Sequence, residues 1–353
     1  MNIDCILKDG IEKNVSDLFI VAGAPLSFKI GKYIIPYNTV KLTSTETMGI
    51  IQELYKKSSR DMEPFLKKGD DDFSFALSGI GRFRVNAYKQ RGSIAAVIRM
   101  VKFQLPDYKK MGIPKEVIGF HKEQSGLILV TGPAGSGKTT TLTCIIDQIN
   151  QYRNCHIVTL EDPIEYIHQH KSSIISQREV HQDTINYIKG LRAALRECPE
   201  VIFIGEMRDL ETMEAAIRAA ETGQLIFSTL HTLGAIATID RIIDSFPANQ
   251  QQQIRMQLAM SLKAIISEQL IPKIKGGLVP AFEVMRVTPA ISNIIREAKV
   301  HQLNTILYSS KDEGMISMDT SLIELYEKGL ISKDEAIRHS INYEFTSRKL
   351  QNL

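Results

Sequence analysis

The sequence predicts an α/β protein in two parts, a small α+β module followed by a larger domain built on a mostly parallel sheet. Three observations carry this. The 353 residues are enough for two domains, each burying its own core. From about residue 115 short apolar runs alternate with segments of helical period, the pattern of a parallel sheet. Between one such run and one such helix, Gly132–Thr139 reads "GPAGSGKT" and fits GxxxxGK[ST] completely.

The amino-terminal part, residues 1–101, opens with a helix to about Asn14. "LFIVAG", "LSFKIG" and "KYIIPYN" follow as short strands punctuated by glycines. "STETMGIIQELYKK" has Ser44 as its expected N-cap, with Met48, Ile51, Leu54 and Tyr55 at helical spacing. After the acidic "GDDD" come "FSFALSG", "RFRVNAYKQ" and "IAAVIRMV", each strand-like. Residues 102–114, with Pro106 and Pro114, read as a linker.

In residues 115–353, "GLILV", "HIVTL", "VIFIG" and "QLIFSTLH" are the expected strands. "KTTTLTCIIDQIN", "TINYIKGLRAALREC" and "DLETMEAAIRAAETG" are the helices between them. Asp209 is placed as the N-cap of the last, and Gly223 stands where a C-cap glycine belongs. The chain after about Ala248 reads as mostly helical.

Composition narrows the function classes. Hydrophobic residues at 43% and charged residues at 24% are ordinary for a globular protein. A net charge of +3 is too small to argue for nucleic acid or a membrane surface. No apolar run approaches the ~18 residues of a membrane span, and "MNIDCILKDG" lacks the apolar core of a secretory signal, so a cytoplasmic location without membrane insertion is expected. Cys5, Cys144, Cys155 and Cys198 have neither zinc spacing nor a disulfide framework.

The chemistry gathers at predicted strand ends. In the loop Gly132, Pro133, Ala134, Gly135, Ser136, Gly137, Lys138, Thr139 and Thr140, backbone N–H groups turn inward to cradle phosphates. Lys138 would neutralise the outer phosphates and the Thr139 hydroxyl would ligate Mg²⁺. Glu161, Asp162 and Glu165 follow "HIVTL"; alone they read as well as a solvated acidic loop. The strands ending at Glu206 and His231 should terminate on the same edge as the loop. His231 reads equally as a structural histidine or as a sensor of the γ-phosphate. Arg82, Arg84 and Arg99 are either a basic strand face in water or guanidinium groups brought to phosphate.

Taken together, "GPAGSGKTTT", "TLEDPIEY", "ISQREV", "ALRECPEVIFIGEMRDLET" and "AAETGQLIFSTLHT" closely resemble the secretion ATPase superfamily of type II secretion and type IV pili. Within it the match is to the PilT-type pilus-retraction (twitching motility) ATPases, and it extends over "RFRVNAYKQRGSIAAVIRMV" and "TPAISNIIREAK". The resemblance implies a RecA-like P-loop ATPase core with a PAS-like first domain, assembled as a homohexamer that uses ATP and Mg²⁺. It makes Glu206 the catalytic glutamate of an atypical Walker B strand. Glu161 and Glu165 become carboxylates supporting metal and water, and His231 the neighbour of the γ-phosphate. Arg84 and Arg99 become the first-domain arginines that close onto nucleotide. It also implies a polytopic inner-membrane platform protein and the pilus assembly machinery as partners, at the cytoplasmic face of that membrane.

Where many P-loop enzymes carry an Asp toward magnesium, this strand has Gly205 before Glu206. Thr139 and the phosphates would then hold Mg²⁺, with acidic residues acting through its waters, and Glu206 would be free for the attacking water. The chain departs from the family pattern at Ala134 in the loop, at Gln224 in place of a histidine, at Ser292 in place of an arginine and at Phe19. An extension or secretion ATPase of the same superfamily is the nearest alternative. A RecA-like DNA motor and a nucleotide-binding regulatory module are the others.

Overall fold

The computed structural model describes residues 2–77, 79–101, 105–309 and 314–351. The chain divides into two units, one of Met1–Gln104 with Glu165–Ile167, the other of Leu105–Ile164 with His168–Leu353. Residues 102–104 of the expected linker lie outside the described residues; its remainder contains a short helix, Tyr108–Met111.

The first unit is a six-stranded antiparallel sheet of β1 (Asp17–Ile20), β2 (Pro25–Ile30), β3 (Tyr33–Lys41), β4 (Asp70–Leu77), β5 (Gly81–Gln90) and β6 (Ser93–Val101), ordered β3-β2-β1-β6-β5-β4. Its strands alternate as a half-covered sheet requires: Phe83, Val85 and Ala87 of β5 are buried, whereas the alternate residues Arg82, Arg84 and Asn86 are not. The helix Ser44–Lys57 packs on β6 and sets Ile51, Leu54 and Tyr55 into the core. Its N-cap is Thr43 rather than the expected Ser44. The Thr43 hydroxyl accepts from the Glu46 N–H while the Glu46 carboxylate accepts from the Thr43 N–H, a reciprocal pair that Ser44 could not make with its partner three residues on. The short helix Glu63–Lys68, with Pro64 in its first turn and Gly69 as its left-handed C-cap, was not expected from the sequence.

The second unit holds a seven-stranded sheet: β7 (Gly126–Thr131), β8 (His156–Glu161), β9 (Ile174–Glu179), β10 (Val201–Ile204), β11 (Leu225–Leu230), β12 (Leu262–Pro272) and β13 (Leu278–Arg286). Their order is β13-β12-β7-β11-β10-β8-β9, and every pair is parallel except β12–β13. Central strands are buried at every position, which is why they read as unbroken apolar runs. In β7, Leu127 and Leu129 face one core with the helices Leu210–Glu221, Ala235–Asp244 and Ala248–Ser261. Ile128 and Val130 face the other, filled by Leu142, Ile145, Ile146 and Ile149 of the helix Lys138–Tyr152. The result is a three-layer α/β/α unit, as a RecA-like core would have.

The chain after Ala248 is mostly helical, as expected, but two strands that were not expected interrupt it. β12 and β13 form a hairpin there, and β12 inserts beside β7 as its parallel neighbour. Helices resume at Pro289, and those at Met318–Glu327, Lys333–Arg338 and Tyr343–Gln351 cover Ile271, Val279 and Ala281 in a separate small core.

Candidate active site

Strand register assembles the site. Thr131 at the end of β7 pairs with Leu230 of β11, and Ile204 of β10 pairs with both Ser228 of β11 and Leu160 of β8. The residues that follow these ends therefore emerge on one edge: the loop from Gly132, Glu206, His231 and, as the last residue of β8, Glu161. Glu161 lies within the strand and is buried, not just beyond it in an open loop as expected.

Lys138 and Ser136 are buried in the phosphate loop, while Pro133, Ala134 and Gly135 at its tip are exposed. The Lys138 ammonium donates to the carbonyl oxygens of Gly132 and Pro133, both at 2.9 Å. The Ser136 hydroxyl is buried without a hydrogen-bond partner, a cost that a phosphate oxygen would relieve. Thr139 and Thr140 open the helix half-exposed, at its positive end. Among the described residues no three His, Cys, Asp or Glu side chains are grouped to hold a metal ion.

Glu206 is held on two sides. Its carboxylate meets Arg208 at 2.5 Å and His231 at 3.3 Å. Its own side chain is 12% exposed, whereas the arginine and histidine are largely open to solvent. The three, with Arg241, line a cleft of about 240 Å³. The pairing with Glu206 raises the proton affinity of Arg208 still further. Across the β8–β10 pair, Glu161 accepts hydrogen bonds from Thr159 at 2.6 Å and Gln177 at 3.1 Å, which fix its carboxylate at the sheet edge.

Arg84 and Arg99 belong to the first unit. They are cross-strand partners on β5 and β6, so their side chains share one face. Arg99 is paired with the buried Asp17 at 2.9 Å and Arg84 with Asp72 at 3.7 Å. Glu165 falls in the first unit and is exposed.

Two departures from the family pattern have local explanations. Gln224 precedes β11, at the opposite end of that six-residue strand from His231, about 20 Å away. Its side-chain oxygen accepts from Thr222 there. Ser292, in the helix Pro289–Arg296, donates to the Ala259 carbonyl at 2.6 Å and ties that helix to the one before β12.

Sequence reasoning missed Glu268. It sits on β12, 3% exposed, and accepts from Thr141 of the loop's own helix at 2.8 Å. Burial pushes its carboxyl up to about 8, against the opposing pull of the Thr141 hydrogen bond and the Lys138 charge. It also missed Glu283 of β13, whose carboxylate accepts from the Ala235 N–H at 2.7 Å and so anchors the helix that follows His231. Both went unseen because their strands did.

Comparison with known proteins agrees with this geometry. The family model for type II/IV secretion system proteins matches residues 1–276. The type IV pilus retraction ATPase PilT of Pseudomonas aeruginosa is 42% identical over 337 residues, covering 95% of this chain and 97% of that protein. A twitching motility protein of Neisseria gonorrhoeae is 45% identical over 277 residues, 78% of this chain and 74% of that protein. The crystal structure of the pilus retraction motor PilT with bound ADP superposes with a TM-score of 0.90 at 46% identity, over 99% of each chain. A match over more than half the chain, with near full-length relatives, settles the lineage: the chain is an ATPase of the type II/IV secretion system family, in its PilT-type branch.

Proposed function

We propose that this chain is the ATP-hydrolysing motor that retracts type IV pili, working as a homohexamer at the cytoplasmic face of the inner membrane. The observation that supports this most is the near full-length likeness to the P. aeruginosa retraction ATPase, joined to an intact phosphate loop facing Glu206 and His231. The partners proposed with it are an inner-membrane platform protein and the pilus assembly machinery.

In this reading the nucleotide phosphates enter the loop and draw Lys138 away from the Gly132 and Pro133 carbonyls. The Thr139 hydroxyl would hold Mg²⁺ beside the phosphates, where the ion would neutralise charge on the polyphosphate. Glu206 exchanges its pairing with Arg208 for the attacking water, which it orients and deprotonates. His231 hydrogen-bonds toward the γ-phosphate, and Glu161 and Glu165 act on water in the outer shell. Arg84 and Arg99 must leave Asp72 and Asp17 to serve as the guanidinium groups that close on the nucleotide. Closure on ATP and reopening after hydrolysis would then move the first unit against the second and supply the stroke.

The test is deletion of the gene in the source organism, with surface pili counted and their lengths followed in time. Excess pili that never shorten is the expected result. A cell without pili would make the chain an assembly motor and end the retraction reading.

A further inference from the structure

The carboxyl group of Glu268 lies directly behind the phosphate loop. One of its oxygens lies 2.4 Å from where a Cβ on Gly137 would stand, so only a glycine lets the loop lie against it. The other accepts from Thr141, one turn into the helix that the loop begins. The titratable groups facing it are Lys138 from the loop and Cys144 from the same helix. Lys138 is the one cation acting on it among the described residues. Burial leaves the thiol of Cys144 protonated, pushed up to about 12, so that group adds no charge to the pair.

A buried carboxylate with a single nearby cation tolerates its charge only while that cation stays. Polyphosphate entering the loop brings like charge to the other side of Gly137 and takes the Lys138 ammonium for itself. Both changes favour the neutral carboxylic acid. The protonated group still fills the same space and can keep its oxygen on Thr141.

We propose that Glu268 is a positioning residue of the phosphate loop, and that nucleotide binding is coupled through its carboxyl to the uptake of one proton from solvent. Carboxylate, proton and nucleotide combine to give the carboxylic acid beneath the occupied loop, with no bond made or broken elsewhere. The sign follows. Where the carboxyl is already neutral, binding takes up nothing; as pH rises past about 8, each binding event must first restore the proton, and affinity falls. This rests on the loop being the nucleotide site.

The experiment is calorimetric titration of the full chain with ADP, in the absence of metal, from pH 6.5 to 9.5. Wild type is compared with Glu268→Gln, which keeps the shape and cannot ionise. Both should bind alike near pH 6.5. Above pH 8 the affinity of wild type should fall by about tenfold per pH unit relative to the variant. At pH 8.5, the wild-type binding heat should change between buffers of different ionisation enthalpy, and the variant's should not. Parallel affinity curves for the two proteins, or a wild-type heat indifferent to buffer, would overturn the coupling while leaving the site intact. Failure of both proteins to bind ADP at any pH would remove the site reading, and the proposal with it.

Discussion

The hydroxyl oxygen of Tyr187 lies 2.8 Å from the position a Cβ on Gly205 would occupy. A carboxylate cannot be added at residue 205, as many P-loop enzymes would have it, without moving this ring or the Leu160 carbonyl, 3.2 Å from the same point. The atypical strand end is thus enforced by packing. Gly205→Asp should destabilise the second unit by about 1–3 kcal/mol, as overpacked sites do. Adding Tyr187→Ala should relieve part of that cost, giving a favourable coupling of at least about 0.5 kcal/mol in a denaturation cycle. Strict additivity would show that the tyrosine is not the obstacle.

Glu206→Gln keeps the volume of the side chain and removes its basicity. Steady-state ATP hydrolysis should fall by about 10²–10⁴-fold while ADP affinity changes little, because no loop residue is touched. Turnover at the wild-type rate would assign the base elsewhere.

Thr43→Ala removes the reciprocal cap of the helix Ser44–Lys57. It should cost about 1 kcal/mol, seen as an earlier melting transition of the first unit, with nucleotide affinity unchanged. An unaltered melting curve would mean that the packing of Ile51 and Leu54 holds the helix without its cap.

Ser292→Ala deletes the hydroxyl that bonds to Ala259. The loss should be about 0.5–1.5 kcal/mol of stability, with ATPase turnover as in wild type. A marked loss of turnover would connect this helix to hydrolysis, a role the hydrogen bond alone does not give it.

Most of the site was legible in the sequence because its strands are buried on both faces. β7 and β11 are continuous apolar runs ended by chemistry-bearing residues, and periodicity finds such strands easily. The failure at β12 has an equally physical cause. The helix Ala248–Ser261 passes into β12 at Leu262 with no glycine or proline between them, so the apolar residues seemed to continue one helix. The pair Gly276–Gly277, which turns β12 into β13, was the missed signal. With the strand went Glu268, which on a supposed helix reads as one more solvated charge. β9 was lost for a related reason: its burial is partial, so "IISQRE" carries no unbroken apolar run.

The hydrogen bond between Thr141 and Glu268 joins residues 127 positions apart. During synthesis the loop sequence leaves the ribosome long before the strand that braces it. Until β12 is made, β7 has an unpaired side, the kind of edge that recruits other chains. Competence to hold nucleotide should therefore arise late and in one step on the growing polypeptide, once the chain has passed Pro272. Stalled fragments ending before that point should be clients for chaperones rather than binders of ADP.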